Sequence, residues 1–174
     1  MTKTRTLPAF ATAILIGLFT GTHTLHALGL RINMSASEPV GIYWMQPYES
    51  TTLAKDDLIE FCPAIHQQDY PFTPRGPCSG GTKPFLKQII GAPGDQVQAT
   101  EHGVRINGQF ITASQPKTYS EATQTRLPYW LGDRPLNEDE YWVYGSANPK
   151  DSFDSRYYGP VKAEQILSVK PANP

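Results

Sequence analysis

Residues 85–95 read FLKQIIGAPGD and place one lysine, Lys87, inside an apolar segment that ends in a Gly/Pro turn. The apolar run followed by Gly-Ala-Pro-Gly predicts a β-strand that is stopped by a turn. Burial disfavours the ammonium form, so a lysine in such a strand is expected to be neutral near pH 7 and to act as a general base. The alternative is an edge-strand lysine whose ammonium reaches water and only discourages aggregation.

Composition predicts a single, mainly β domain with many turns. The chain has 174 residues, of which 16 are proline and 14 are glycine, and this length allows one domain with a hydrophobic core. Asn107-Gly108 is a hairpin-turn dipeptide. Residues 63–84 are predicted to form a Pro/Gly-rich loop, and residues 112–138 a polar insertion with one short helix. The predicted strands cover residues 43–45, 57–62, 96–111, 140–145 and 166–169.

The N-terminus differs in character from the rest of the chain. Lys3 and Arg5 precede an apolar run, and no acidic residue occurs before Glu38. A positive flank before an apolar run is typical of an export signal or a signal anchor. Counted through its small and Thr residues to Leu30, the run reaches about 20 residues, which is long enough to cross a bilayer.

We therefore expect residues 1–30 to form one retained membrane helix and residues 31–174 to form an extracytoplasmic, β-rich domain. A cleaved signal is less favoured, because Leu25 lies two positions before Ala27, where a cleavage site has a small residue. A buried helix of a soluble protein is the remaining alternative.

Charge and ligand spacing argue against two classes of partner. The formal net charge is −1, and no basic cluster compensates for it, so no nucleic-acid partner is expected. Neither cysteine has a second ligand at Cys-x-x-Cys spacing, and the histidines are scattered, so no metal or other cofactor is expected. These histidines are His23, His26, His66 and His102.

The two cysteines, Cys62 and Cys78, enclose fifteen residues rich in proline and glycine. An even cysteine count in an exported domain favours a disulfide. Closing a loop of this size stabilises the fold by roughly 3 kcal/mol in the chain-entropy model. Two unlinked thiols are the alternative.

Two further segments carry residue types suited to catalysis. Residues 35–39 read SASEP, a turn with Ser35 and Ser37, and residues 151–156 read DSFDSR. Most Ser-x-Pro triplets are only turns, because proline fixes φ and serine bonds to local backbone. The prediction of a site therefore rests on the combination of serine, lysine and a Ser/Asp segment, since Ser-Lys pairs are a variant of nucleophile-plus-base catalysis.

These segments resemble those of the signal peptidase I (S26) family of Ser-Lys proteases, and most closely its plasmid-conjugation, TraF-type branch. Residues 37–43 read SEPVGIY, as in the Ser-x-Pro-x-Gly-x-Tyr segment of that branch, and residues 87–95 are similar to the family's Lys-Arg-x-x-Gly-x-Pro-Gly-Asp box. The resemblance implies an antiparallel β-sheet fold preceded by one N-terminal membrane helix. Leader peptidases read Ser-Met-x-Pro instead, so Glu38 stands where they have an apolar residue.

The resemblance also implies a role for each candidate site residue. Ser37 would be the nucleophile and Lys87 the general base, while Ser35 would help to form the oxyanion hole and is the main rival for the nucleophile. Ser152 would hydrogen-bond and orient the lysine. Asp154 would pair with Arg156 and shape the site, although a surface ion pair of little energetic value is the alternative.

The function implied is that of a membrane-anchored serine endopeptidase of the bacterial inner membrane, with its catalytic domain in the periplasm. A TraF-type enzyme would process a pilin precursor for conjugative transfer and could join the new end to the N-terminus, which gives a cyclic pilin. The alternatives are a general leader peptidase acting on many exported proteins, and a non-catalytic assembly protein of a secretion system. The last becomes preferable only if Lys87 points away from Ser37.

Overall fold

The computed structural model describes residues 11–12, 20, 24–50, 53–121 and 123–172. Most of the predicted membrane helix, residues 1–30, lies outside these ranges. Within them, no helix has the length and apolar character that a bilayer crossing requires.

The described chain is built mainly from antiparallel strands, which confirms the predicted fold class. A helical turn, Ser155–Tyr158, and a 3-10 turn, Ala163–Gln165, come late in the chain. The strands are β1 (Leu30–Asn33), β2 (Gly41–Trp44), β3 (Gln46–Pro47), β4 (Leu58–Phe61), β5 (Phe85–Gly91), β6 (Gln96–Thr100), β7 (Gly103–Ile106), β8 (Gln109–Phe110), β9 (Tyr119–Ser120), β10 (Thr125–Arg126), β11 (Gly132–Pro135), β12 (Glu140–Tyr144), β13 (Val161–Lys162) and β14 (Ile166–Lys170).

The largest sheet has six strands in the order β13-β12-β5-β4-β14-β3, with the lysine-bearing strand β5 inside it. Lys87, Ile89 and Gly91 alternate onto its buried side. On one side β5 pairs with β4 along Phe85–Gln88, and on the other side β12 reaches it only at Gln88, Ile89 and Gly91. The first three residues of β5 therefore have no strand partner on the β12 side among the described strands.

A second sheet has the order β11-β6-β7-β8. The predicted turn at Asn107-Gly108 joins β7 to β8, with φ of 50° and 80° at its two central residues, as a type I′ turn requires. The sequence predicted one hairpin in residues 96–111, but there are two. The earlier turn, at Glu101-His102, joins β6 to β7 and leads into Gly103 at φ 132°.

The short helix predicted for residues 112–138 is absent from the described part of that segment, which instead holds β9, β10 and β11. Strand β11 lies at the edge of the second sheet and pairs only with β6. Its alternate side chains face water, which makes the segment polar without a helical period. The prediction of a helix was therefore wrong, because an exposed edge strand has a weak apolar pattern.

Two apolar clusters support the sheets. Trp142 of β12 is fully buried and belongs to the cluster under the second sheet. The cluster under the first sheet consists of Leu53, Ile59, Phe61, Ile89, Tyr141, Val143, Val161, Ile166 and Val169. The cluster under the second sheet consists of Val97, Ala99, Val104, Ile106, Leu136 and Trp142.

A disulfide joins Cys62 and Cys78, as the sequence predicted, with the two Cα atoms 5.5 Å apart. It closes the loop that follows β4 and thereby restricts the loop's position. Phe72 in that loop packs against Phe153, with ring centroids 5.1 Å apart. The loop is thus in contact with the DSFDSR segment.

Candidate active site

A hydrogen-bonded turn between β1 and β2 carries the two predicted serines. The side-chain amide of Asn33, the last residue of β1, donates to the carbonyls of Ser35, Glu38 and Pro39 at 2.9, 3.0 and 3.0 Å. Its Oδ1 accepts the N–H of Ser35 at 3.0 Å. Asn33 thus fixes the turn from inside. We did not predict this role, although an asparagine at the end of a strand is a common turn-forming signal.

The lysine of β5 lies directly against the serine turn. Lys87 Nζ donates to Ser37 Oγ at 2.7 Å and to the carbonyl oxygen of Leu86 at 3.2 Å. Ser37 Oγ also lies 2.8 Å from Ser35 Oγ. Of the two serines, Ser37 is therefore the one in hydrogen-bond contact with the lysine, and Ser35 contacts Ser37 in turn.

Lys87 is buried, with 5% of its surface exposed. Burial lowers its pKa to about 8, although the negative charges of Asp154 and Glu38 favour the ammonium form and the positive charge of Arg156 opposes it. A lysine of this pKa is partly neutral near neutral pH. When neutral, its nitrogen can accept a proton from the hydroxyl 2.7 Å away.

Asp154 and Arg156 form a buried ion pair behind the lysine. Arg156 donates to Asp154 through Nε at 2.7 Å and through Nη2 at 2.8 Å. Both side chains are almost completely buried, so this is not the surface pair that was the alternative. Asp154 Oδ2 also accepts the N–H of Gly145 at 3.1 Å. The pair therefore ties the DSFDSR segment to the residue that follows β12.

Ser152 is brought to the site, but its predicted hydrogen bond is not formed. Its Oγ is buried and has no hydrogen-bond partner among the residues that the structure describes. A Cβ at Gly145 would collide with the Ser152 hydroxyl and lie 3.0 Å from the Cβ of Ser37. Ser152 and Ser37 therefore lie on the same side of Gly145, where only a residue without a side chain fits.

A groove of about 460 Å³ opens over these residues. Ser37, Lys87, Ser35 and Ser152 all line it, whereas Asp154 lies behind it. No group of three or more His, Cys, Asp or Glu side chains in the described ranges is placed to hold a metal ion. The other residues lining this serine groove are Arg31, Ile32, Asn33, Ala36, Glu60, Phe72, Thr73, Pro74, Pro84, Phe85, Leu86, Asn148, Asp151 and Phe153.

A groove lined by a serine in contact with a buried lysine suits the class of serine peptidases. The model of the family described as signal peptidase, peptidase S26, matches residues 3–171. The chain therefore belongs to the signal peptidase S26 family. It is also similar to plasmid and conjugal transfer proteins TraF, which makes it a TraF-type member.

The chain is 30% identical over 149 residues to the plasmid transfer protein TraF of Escherichia coli, and the match covers 83% of this chain and 82% of that protein. It is also 30% identical over 146 residues to the conjugal transfer protein TraF of Agrobacterium tumefaciens, covering 81% and 80%. A probable signal peptidase I-2 of Synechocystis is 35% identical over 83 residues, which are 48% of this chain and 34% of that protein. A solved signal peptidase I from Enterococcus faecalis aligns with 70% of this chain and 99% of that chain, at 20% identity and a TM-score of 0.40.

Proposed function

We propose that the protein is a membrane-anchored endopeptidase with a Ser37–Lys87 dyad that processes a pilin precursor for conjugative transfer. The observation that carries the proposal is the 2.7 Å contact between Ser37 Oγ and the Nζ of a buried lysine. A non-catalytic assembly protein would have no reason to bury an ammonium, which costs free energy, against a serine hydroxyl. The contact therefore favours the enzyme over the assembly protein.

In the proposed reaction, neutral Lys87 takes the proton of the Ser37 hydroxyl as Ser37 Oγ attacks the scissile carbonyl carbon. The tetrahedral intermediate collapses to an acyl-enzyme on Ser37, and the lysine returns the proton to the leaving amine. Water, or the N-terminal amine of the pilin in the case of cyclisation, then attacks the acyl-enzyme and regenerates Ser37.

Ser35 is suited to the oxyanion hole. Its Oγ lies 2.8 Å from Ser37 Oγ, and the backbone N–H of Ser37 approaches it at 3.4 Å. In the resting structure the Ser37 N–H donates to Ser35 Oγ, so the two groups are adjacent, and we expect both to turn to the carbonyl oxygen of a bound substrate. Such donors stabilise the charge that develops on the carbonyl oxygen in the transition state.

The open part of β5 suits an extended substrate. Phe85, Leu86 and Lys87 pair with β4 but have no strand partner on the side where β12 has ended. A peptide could add there as a further antiparallel strand. Phe72, Phe85 and Phe153 line the same groove and restrict its width, so we expect small side chains such as Ala or Gly next to the scissile bond.

The hairpin of β1 and β2 supports a location at the membrane surface. Ile32 and Ile42 face each other across the hairpin and are each 70% exposed. Met34, Val40 and Trp44 are exposed on the same hairpin or its turn. Exposed apolar side chains next to the predicted anchor suit contact with lipid. We therefore place the protein in the bacterial inner membrane, with its catalytic domain in the periplasm.

The proposed role in conjugation rests on the relatives. The match to the plasmid and conjugal transfer proteins covers most of this chain and about four-fifths of each of those proteins. The match to the Synechocystis signal peptidase is confined to about half of the chain. A dedicated substrate is therefore favoured over the wide range of precursors that a general leader peptidase cuts.

The test compares Ser37→Ala, Ser35→Ala and Lys87→Ala in the processing of membrane-embedded pilin precursors. Ser37→Ala and Lys87→Ala should each abolish processing without unfolding the protein, and Ser35→Ala should lower kcat by about 10²–10³. If Ser37→Ala retains activity and Ser35→Ala loses all of it, the nucleophile is Ser35.

The substrate is tested with precursors varied next to the scissile bond, beside an ordinary secretory precursor. Bulky residues at that position should lower kcat/KM. Equal cleavage of every precursor would exclude a dedicated pilin peptidase and favour the general leader peptidase.

A further inference from the structure

Glu38 is a buried carboxylate one residue after the proposed nucleophile. Only 3% of its surface is exposed. Its Oε1 accepts the backbone N–H of Gln88 at 3.3 Å, and its Oε2 accepts the hydroxyl of Ser146 at 3.3 Å. One side chain thus connects the serine turn, strand β5 and the segment that follows β12.

The position of the Gln88 N–H explains why the carboxylate lies there. The N–H and C=O of Ile89 bond to Asp57 and Asp56 on the β4 side. Backbone groups alternate in direction along a strand, so the N–H of Gln88 points to the β12 side. Strand β12 ends opposite Gln88, at Tyr144. Glu38 therefore accepts a strand N–H at the point where the neighbouring strand stops.

The segment after β12 contacts the nucleophile turn at two consecutive residues. The N–H of Ala147 donates to the carbonyl oxygen of Ser37 at 3.2 Å, and Ser146 donates to Glu38. Loss of the carboxylate would therefore remove the bonds of the turn to Gln88 and Ser146, and leave the Ala147 bond and the contact between Lys87 and Ser37 to hold it.

The charge of Glu38 also acts on the lysine. Lys87 lies on β5 next to Gln88, and the charged groups that act on it are Asp154, Glu38 and Arg156. Burial raises the pKa of Glu38 above its ordinary value, although the positive charge of Lys87 and the hydrogen bonds from Ser146 and Gln88 lower it. Because both carboxylate oxygens accept hydrogen bonds from groups that donate, the contacts suit the ionised form.

We propose that Glu38 is a positioning residue for the dyad: its ionised carboxylate holds the Ser37 turn against the Gln88 N–H of β5 and against Ser146. A consequence of this placement is that the charge of Glu38 favours protonated Lys87 in the resting enzyme. This inference rests on the proposed function. It assigns to one side chain both the geometry of the serine and the proton affinity of the base. The other groups that act on Lys87 are Asp154, whose charge has the larger effect, and Arg156, which pairs with it. Burial raises the pKa of Tyr43, and the charge of Glu38 raises it further.

The test is Glu38→Gln in the full chain, with two readouts. The first is the titration of Lys87, followed by NMR of ¹³C-labelled lysine side chains and assigned with Lys87→Met. The second is the pH dependence of the rate at which Ser37 is acylated by an active-site-directed reagent. Glutamine has the size of glutamate and can still accept one hydrogen bond, so the change mainly removes the charge.

Glu38→Gln should move the midpoint of the Lys87 titration down by about one pH unit, and the rising part of the acylation profile should move with it. Glu38→Met also removes both hydrogen bonds, and we expect it to lower the limiting acylation rate by a further 10- to 100-fold, on the order of what a small misplacement costs. Ser146→Ala is the matched control. It removes one donor and leaves the charge, so the Lys87 midpoint should stay close to that of the wild type.

An unchanged Lys87 midpoint in Glu38→Gln would overturn the inference while leaving the proposed dyad intact. A wild-type Lys87 that titrates near the ordinary lysine value would instead refute the proposed base. If Glu38→Met fails to fold, as judged by near-UV circular dichroism, the Glu38→Gln titration still decides the question.

Discussion

Replacing Lys87 by methionine should make the protein more stable and inactive. The lysine is 5% exposed, and its surroundings lower its pKa from 10.5 to about 8. Because 1.4 kcal/mol corresponds to a tenfold change in an equilibrium constant, this lowering means that the folded state holds the ammonium at a cost of about 3 kcal/mol. Methionine has a similar length and is apolar, so it removes that cost.

The sign of the pH dependence follows from the direction of the pKa change. Below pH 8 the lysine is charged in both the folded and the unfolded protein, so the full cost opposes folding. As the pH rises from about 8 to about 10.5, the folded protein releases its proton first, and the stability of the wild type increases. The advantage of Lys87→Met should therefore be greatest near neutral pH and should decrease by about 3 kcal/mol above the unfolded pKa.

Urea unfolding of wild type and variant at a series of pH values measures this difference directly. Each variant is compared with the wild type at the same pH, so that the contributions of the other titrating groups to the free energy of unfolding cancel. Lys170→Met is the matched control, because it makes the same substitution at an exposed lysine on β14. A Lys87→Met difference that is constant with pH would refute the reasoning, whatever its size.

Three further predictions concern the base, the buried ion pair and the disulfide. The kcat/KM for precursor cleavage should rise with pH through about 8, because only neutral Lys87 can accept the serine proton; a flat profile there would contradict the base. Asp154→Ala should lower the free energy of unfolding by about 3–5 kcal/mol, because it leaves Arg156 charged and unpaired in the interior; urea unfolding with a loss below about 1 kcal/mol would contradict this. Removing Cys62 and Cys78 together should cost roughly 3 kcal/mol by the same measurement, and mass spectrometry without reduction should find the wild-type cysteines linked.

The class of fold was predictable because its signals are local. Each of these signals predicts a strand or a turn without reference to the rest of the chain. They are the apolar FLKQII segment, the Asn107-Gly108 dipeptide, and the Gly and Pro residues between the strands. Strand β11 was missed for the opposite reason. Its residues GDRP become a strand only because β6 lies beside them, and propensity alone does not predict such pairing.

The candidate site was predictable in its residue types but not in its contacts. Three short segments identified Ser37, Lys87 and Asp154, yet no pattern within any of them requires that Lys87 meet Ser37 rather than Ser35. Asn33 fixes the shape of the turn by binding three of its carbonyls, but the choice between the serines is made by how the turn packs on β5. This choice depends on long-range packing of β1, β2 and β5. The periodicity of a single sequence does not predict such packing.

The charges around Lys87 explain why its pKa is lowered to a useful value and not further. Asp154 pairs with Arg156, yet its negative charge acts on Lys87 more strongly than that of Glu38, and the opposing charge of Arg156 acts least. Glu38 supplies a second negative charge that favours the ammonium form of Lys87. With protonated Lys87 the four groups sum to zero, and with neutral Lys87 they sum to −1. Burial without Glu38 would make the lysine a base of lower proton affinity, neutral at rest but weaker in taking the serine proton. The balance of the two buried carboxylates, Asp154 and Glu38, against desolvation thus sets the pKa of Lys87 at about 8.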